Sequence, residues 1–355
     1  MTMFSGVGEL LGMGSSGGGR SNYPYVTARV RSMKTHLLPE EEYARMVARD
    51  VHEIARSLQE GRYQEQIDRL SSEYSGAQLI EQATWQGMGN DFQRILEWCE
   101  GPLEDMVARY FERFTVYNLK TALRGARSGA TSTQSEQALV PVGLVARDDW
   151  RAALNADSLP EAIEALRTLP YGDVIQNMDE EPLPVIENAL DHAYYDRLIS
   201  SVEADDRPRE AYLTFLRREI DTINLKNIFR AKHAGIEEYE HVEGGEDVDE
   251  ELARRILQAD WEEVSAMLDE TAYGDDLRPA VEDYRESGDL NRLANELETL
   301  HLEEADTFGH RYPLSILPII DYVLRKEREV DRLRMIAFGK QAGLSRDEIE
   351  QLVTD

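Results

Sequence analysis

One short helical phrase occurs three times in this chain of 355 residues, and its spacing constrains the fold more than any other feature. The copies read NLKTALRGARSG (Asn118 to Gly129), NLKNIFRAKHAG (Asn224 to Gly235) and RLRMIAFGKQAG (Arg332 to Gly343). Their closing glycines stand 106 and 108 residues apart. Self-similarity at a fixed period marks a chain built from copies of one supersecondary unit. The spacing predicts three related helical domains, bounded at 23–129, 130–235 and 236–355. A Gly/Ser-rich N-terminal extension, 1–22, precedes them and is expected to be flexible.

A second repeated feature lies between the copies. The stretch starting PVGLVARDDW at Pro141 matches the one starting EGGEDVDEEL at Glu243, with Gly143 aligned to Gly245. Further on, Tyr171-Gly172-Asp173 aligns with Tyr273-Gly274-Asp275. Glycine at such points serves as a helix stop or takes a loop conformation closed to bulkier residues. Tyr74, in SSEYSGAQL, is the expected first and most diverged member of this tyrosine series. ARVRSMKTHLLPEEEY near the N-terminus resembles AGLSRDEIEQL (Ala342 to Leu352). The repeats are therefore expected to run in a permuted, ring-like order, with the N-terminal helix closing against the C-terminal repeat.

The rest of the pattern is helical. Val26, Val30, Met33 and Leu37 recur at spacings of three and four, one face of a helix. Pro39 and three glutamates open a further helix, whose face continues through Tyr43, Met46, Val47, Val51, Ile54 and Leu58. Runs of β-branched residues with period two are nearly absent, so the predicted fold class is all-α.

Charge narrows the function. There are 69 acidic and 39 basic residues, a net charge of −30, and only six of the basic residues are lysines. An acidic, Lys-poor surface stays hydrated and soluble in concentrated salt, where its self-repulsion is screened. The rival reading is an ordinary acidic protein. Both argue against nonspecific nucleic-acid binding, which needs clustered positive charge. Cys99, the only cysteine, follows Trp98 in an apolar-rich segment and reads as a buried, inert thiol. No run approaches the roughly 20 apolar residues that cross a bilayer.

No catalytic arrangement emerges, and neither cofactor nor metal is expected. His36, His52, His192, His233, His241, His301 and His310 form no spaced metal-ligand pair. Gly6 to Gly12 lacks the spacing of a dinucleotide loop, and no phosphate-cradling Gly-Lys-Ser/Thr motif occurs. The acidic run around Asp247 lacks the glycine and the alternating ligands of a calcium loop.

What repeats instead is a basic edge. Leu119, Leu225 and Leu333 align, and each is followed by a cation: Lys120, Lys226 and Arg334. One turn later come Arg124 and Arg230, on the same helix face, whereas the third copy has Phe338. Lys232 and Lys340 align near the helix ends. Two readings stand. Locally, these cations complement the helix C-termini and neutralise acids such as Glu112, Glu219 or Glu329. As a repeated set they mark basic-edged helices that face an acidic or polar protein partner. The apolar neighbours Leu123, Ile228, Phe229, Met335 and Ile336 are expected in the domain cores.

With these residues in hand, the chain from Tyr23 onward resembles the C subunit of archaeal A-type (V/A-type) ATP synthases, a homologue of the d subunit of vacuolar ATPases. The resemblance rests on YPYVTARVRSMKTHLL (Tyr23 to Leu38), YFERFTVYNLKTALRG (Tyr110 to Gly125) and a C-terminal pattern. In that pattern Lys326, Glu327, Glu329, Val330, Arg332, Leu333, Arg334, Gly339, Lys340 and Gly343 fill the expected places. The resemblance implies three helical domains in a pseudo-three-fold funnel, without an active site. It implies a rotor part that joins the central stalk (a long helical shaft protein and its small partner) to the membrane proteolipid ring. The place implied is peripheral, on the cytoplasmic side of the cell membrane, with neither nucleotide nor nucleic acid bound directly. A helical scaffold unrelated to rotary ATPases is the alternative.

Overall fold

The computed structural model describes residues 21–142, 144–236, 239 and 241–353. Gly143 and the extension up to residue 20 lie outside the described residues. Asn22 lies inside them and is tied down. Its Nδ2 donates to the Trp98 carbonyl at 2.8 Å and its Oδ1 accepts from the Glu100 N–H at 3.2 Å.

The described residues form α-helices and one 3-10 turn (Arg147–Trp150), without a strand. In chain order they are α1 (Tyr23–Lys34), α2 (Glu40–Val47), α3 (Val51–Gln59), α4 (Gln64–Leu70), α5 (Gly76–Trp98) and α6 (Pro102–Ser128). Next come α7 (Ser132–Gln137), α8 (Arg151–Leu154), α9 (Leu159–Leu166), α10 (Gly172–Ile175), α11 (Leu183–Ser200) and α12 (Arg207–Ala234). Last are α13 (Glu250–Gln258), α14 (Trp261–Leu268), α15 (Gly274–Ser287), α16 (Leu290–Arg311), α17 (Leu317–Gln341) and α18 (Arg346–Val353). The apolar face from Tyr43 to Leu58 belongs to two helices. Asp50 caps the Glu53 N–H while the Glu53 side chain accepts from the Asp50 N–H, a reciprocal box that starts a new helix.

The repeated phrase lies at the C-terminal ends of the three long helices α6, α12 and α17. Each opens with proline in its first turn, where no N–H partner is needed. Each ends alike: Ala130, Ile236 and Leu344 donate their N–H to Gly125, Ala231 and Gly339 at 3.0, 2.9 and 3.0 Å. This closure places Gly129, Gly235 and Gly343 at φ between 68 and 78°, where a Cβ is penalised.

The chain gathers into two compact units. Of the described residues, the first comprises 21–26 and 85–201; the second comprises 27–84 and 202–353. In the first unit α6 packs against α7, α8, α9 and α11. Leu119, Ala122 and Leu123 are buried there, as are the clustered rings of Phe92, Phe111 and Phe114. The second unit holds two cores. Leu225, Ile228 and Phe229 of α12 pack with α13–α16. Leu333, Ile336 and Ala337 of α17 pack with α2–α5 and α18. The same three helix positions thus feed a core each time, as the aligned leucines predict. Met335 is only partly buried against its core.

The short helices that cover α17 include α2, α3 and α4, which precede it by more than 240 residues. Their tyrosine is Tyr63, not Tyr74. Its hydroxyl donates to Glu329 of α17 at 2.6 Å. Likewise Tyr171 donates to Glu112 of α6 at 2.5 Å, and Tyr273 to Asp221 of α12 at 3.2 Å. Tyr74 lies at the edge of the same core. Gly172 and Gly274 are not helix stops: a Cβ there would strike the backbone of Leu166–Arg167 and of Leu268–Asp269. The positive φ, 68°, belongs to Tyr171.

Candidate protein-contact surface

The basic edge resolves into two rungs, one turn apart, between each long helix and a neighbour. The first rung is closed in every copy. Lys120 pairs with Asp191 of α11. Lys226 reaches Glu298 of α16 at 2.6 Å, and the Arg334 Nε reaches Glu81 of α5 at 2.8 Å. All three cations thus have an intramolecular counter-charge. Burial holds the Lys226 ammonium below its ordinary range, against the pull of Glu298. Burial likewise raises the Glu81 carboxyl, with Arg334 opposing. Glu298 also takes Arg328 of α17. Burial pushes its carboxyl up, but the two cations outweigh that and hold it below the usual carboxylate range.

The second rung diverges. Arg124 grips Glu187 of α11 with both ends of its fork, at 2.7 and 2.6 Å. That bond raises the guanidinium further. Glu187 lies one turn before Asp191; one turn before Glu298 stands Ala294, and before Glu81 stands Ala77. Arg230 is exposed and makes no ion pair among the described residues. Phe338 takes the third place, 37% exposed.

The remaining two cations differ from each other. Lys232 donates to the Ala259 carbonyl and lies over the Trp261 ring at 5.3 Å, with its ammonium lowered by burial. Lys340 is half-buried, without an ion pair among the described residues. The pairing acids sit on helices 71, 72 and 253 residues away from their cations, so no local spacing announces them.

One cluster escapes sequence reasoning. Lys326 is fully buried, with Nζ 2.6 Å from both the Glu329 Oε1 and the Tyr63 hydroxyl, and 4.5 Å from the Tyr63 ring centre. Glu329 also accepts from the Leu38 N–H at 2.7 Å. Beside it Arg332 grips Glu40, one bond measuring 2.7 Å. The sequence signal was the Lys326–Glu329 spacing, one helical turn, inside the family-like C-terminal pattern.

Among the described residues no group of three His, Cys, Asp or Glu side chains is placed to hold a metal ion. Cys99 is buried with Sγ 3.2 Å from the Ile95 carbonyl, and burial, aided by Glu104, pushes its thiol up to about 12. Long helices, each packed with a set of short ones through a shared tyrosine–carboxylate bond and a closed ion-pair rung, define a helical-repeat protein. The family described as ATP synthase (C/AC39) subunit matches residues 26–352. The C subunit of the A-type ATP synthase of Haloquadratum walsbyi is 36% identical, the match covering 93% of this chain and 98% of the relative. That of Halorubrum lacusprofundi is also 36% identical, over 94% and 97%. That of Methanococcoides burtonii is 34% identical, over 95% of each. The chain belongs to the ATP synthase (C/AC39) subunit family. It is a component of a larger complex and not an enzyme by itself.

Proposed function

We propose that this chain is the rotor adaptor of a proton-translocating A-type ATP synthase. It joins the central stalk, a long helical shaft with its small partner, to the proteolipid ring, and it passes torque between them for ATP synthesis. The carrying observation is family membership across residues 26–352, with A-type ATP synthase relatives matched over nearly their whole length. The repeated build supports it: a part seated on a ring needs stiff helices held together by buried bonds, and each long helix here has them. No helix among the described residues is long and apolar enough to cross a membrane. Attachment on the cytoplasmic face of the membrane then runs through the ring.

In this reading the chain carries three related domains, along 23–129, 130–235 and 236–355, set as a pseudo-three-fold funnel. The short helices of the N-terminal stretch complete the third. Lys120, Lys226 and Arg334, joined by Arg124, Arg230, Lys232 and Lys340, are the cations that line or support the cavity that meets the stalk. The acid load, with kinship to Haloquadratum and Halorubrum proteins, fits a cytoplasm of high salt. The test is cross-linking of the intact membrane complex through a tag on this chain. Cross-links to both the shaft and the proteolipids are expected. A chain that cross-links only to the catalytic head would refute the adaptor role.

A further inference from the structure

Within the second unit a pocket of about 270 Å³ opens between α1, α16 and α17. Val30 and Pro318, both buried, give it an apolar floor. Gly309 lets α16 come close to α17 there, since a Cβ would stand 3.4 Å from the Pro318 Cα. Arg31, Lys34 and His310 supply the charged part of the wall.

The charges of this corner do not balance. Its acid, Asp321, is buried, and Asp306 stands near it. Lys34 bonds both carboxylates at 2.6 Å. Arg325 also bonds both, at 3.2 and 2.7 Å. Two cations thus satisfy two anions. His310 is a further group on Asp306, its Nδ1 lying 3.2 Å from Oδ2. Burial pushes the Asp306 carboxyl up, but Lys34, Arg325 and His310 outweigh it and hold the group below the usual carboxylate range. Arg31 is surplus: it is exposed on the pocket wall and makes no ion pair among the described residues. Arg31, Lys34 and His310 stand in the last turns of α1 and α16, where cations complement the helix dipole. The dipoles account for each cation singly. They do not account for the convergence of all three on one pocket, or for an arginine left without an acid in a chain of 69 acidic residues and net charge −30.

We infer that this pocket binds a phosphate group, either free or as the headgroup of an anionic lipid. Arg31 offers the planar fork that matches phosphate oxygens, and Lys34 the one N–H of its three that no acid takes. The His310 Nδ1 is spent on the Asp306 carbonyl at 2.9 Å, so its ring adds a donor at Nε2 only when protonated. Thr35, on the rim, donates to the Ser32 carbonyl at 2.8 Å and adds none. The volume lies below the range of about 300–1,000 Å³ usual for larger ligands, so it suits a phosphate group and not a whole nucleotide.

The experiment uses the full chain at about 0.5 M KCl, where exposed charges are screened but not silenced. Inorganic phosphate is titrated by calorimetry. Flotation measures retention on phosphatidylcholine vesicles with and without about one third phosphatidylglycerol, an anionic lipid. Phosphate is expected to bind in the millimolar range. Arg31→Gln should weaken it about tenfold, the size of one charged hydrogen-bonding partner, and Arg31→Lys less, because the charge stays while the fork is lost. Thr35→Glu sets a carboxylate on the rim and should weaken binding at least as much. Arg346→Gln, at an exposed arginine of α18 outside the pocket, should bind as the wild type does. All four variants should melt with the wild type, since the three side chains are exposed. Phosphate binding without retention on vesicles identifies the free ion as the ligand. Retention on the anionic vesicles alone, lost in Arg31→Gln, identifies the headgroup. Binding to neither phosphate nor anionic vesicles overturns the inference. So does binding that Arg31→Gln and Thr35→Glu leave unchanged, or that Arg346→Gln reduces equally. If one pocket variant fails to fold, the other decides.

Discussion

Replacing Lys326 by methionine tests what holds the second unit together. The ammonium has no solvent and two partners at 2.6 Å, Glu329 and the Tyr63 hydroxyl. At that separation, with an effective dielectric constant near 20, the gross attraction is about 6 kcal/mol. Most of that is offset by taking both charges out of water, so the pair itself adds little. Methionine, however, leaves the Glu329 carboxylate buried with only the Tyr63 hydroxyl and the Leu38 N–H to satisfy it. Stranding one charge of a buried pair costs about 3–5 kcal/mol. Glu329→Gln removes the carboxylate 2.6 Å from the lysine and should also be destabilising. The double variant has no stranded charge, and the glutamine carbonyl still accepts from Leu38, so its cost should fall to about 1–3 kcal/mol, well below the sum of the singles. Equilibrium urea unfolding gives the four free energies. Hydrogen exchange should show the loss concentrated in α2–α4, which Tyr63 ties to α17. The pH dependence has a definite sign. Burial pushes the Glu329 carboxyl up, but Lys326, Tyr63 and Leu38 together hold it below its unfolded value of 4.5. Its contribution is therefore complete above pH 4.5 and lost as pH falls through the lower, folded value. A Lys326→Met cost below about 1 kcal/mol, or a double variant as unstable as the sum, would refute a mutually dependent buried pair.

Two further outcomes follow from charge and burial. Net charge −30 repels itself over a Debye length that shrinks from about 10 Å at 0.1 M to about 3 Å at 1 M, so the melting temperature should rise with KCl up to about 3 M; a flat or falling midpoint would sink the salt-adaptation reading. The Cys99 thiol, raised to about 12 by burial and by Glu104, stays protonated at pH 8, so iodoacetamide should label it only after urea unfolds the chain, and prompt labelling of the native protein would contradict the buried geometry.

Much of the fold is legible because its signals are local. The closing glycines and the aligned leucines each report on backbone within one helix, and each sits where its spacing puts it. The tyrosine series shows where that stops. Tyr171 and Tyr273 follow their long helices and share Tyr-Gly-Asp, so they align on sight. Tyr63 precedes its helix by hundreds of residues and is followed by Gln64, so nothing nearby marks it; only the bond to Glu329 does. The two glycines after the tyrosines were legible as special but not as to cause. Their freedom from a Cβ serves a close backbone approach, which depends on how the chain turns back on itself. The acids of the first rung were hidden for the same reason: 69 carboxylates offer too many candidates, and only packing selects Glu81, Asp191 and Glu298.

The charged clasp on α17 acquires a reason when the repeats are compared. In α6 and α12 one asparagine holds the incoming chain with two bonds to a single residue. Asn118 exchanges them with Val140 at 2.9 and 2.8 Å, and Asn224 with Val242 at 2.8 and 2.9 Å. Both partners lie only 22 and 18 residues along the chain, so the short connection already keeps them near and neutral bonds suffice. The matching residue of α17 is Arg332, and the chain it meets is 292 residues distant. No short connection brings that segment back. Its attachment is made through charges instead: Arg332 on Glu40, Lys34 on Asp306 and Asp321 at 2.6 Å each, Arg334 on Glu81, and the buried Lys326–Glu329 pair beneath Tyr63. Pairs that are buried or half-buried are screened little by salt, whereas the attachment of two distant segments through surface charges alone would fade as salt rises. The position of the buried lysine, in the repeat whose covering helices come from a distant part of the chain, thus fits the physics of closing a long loop.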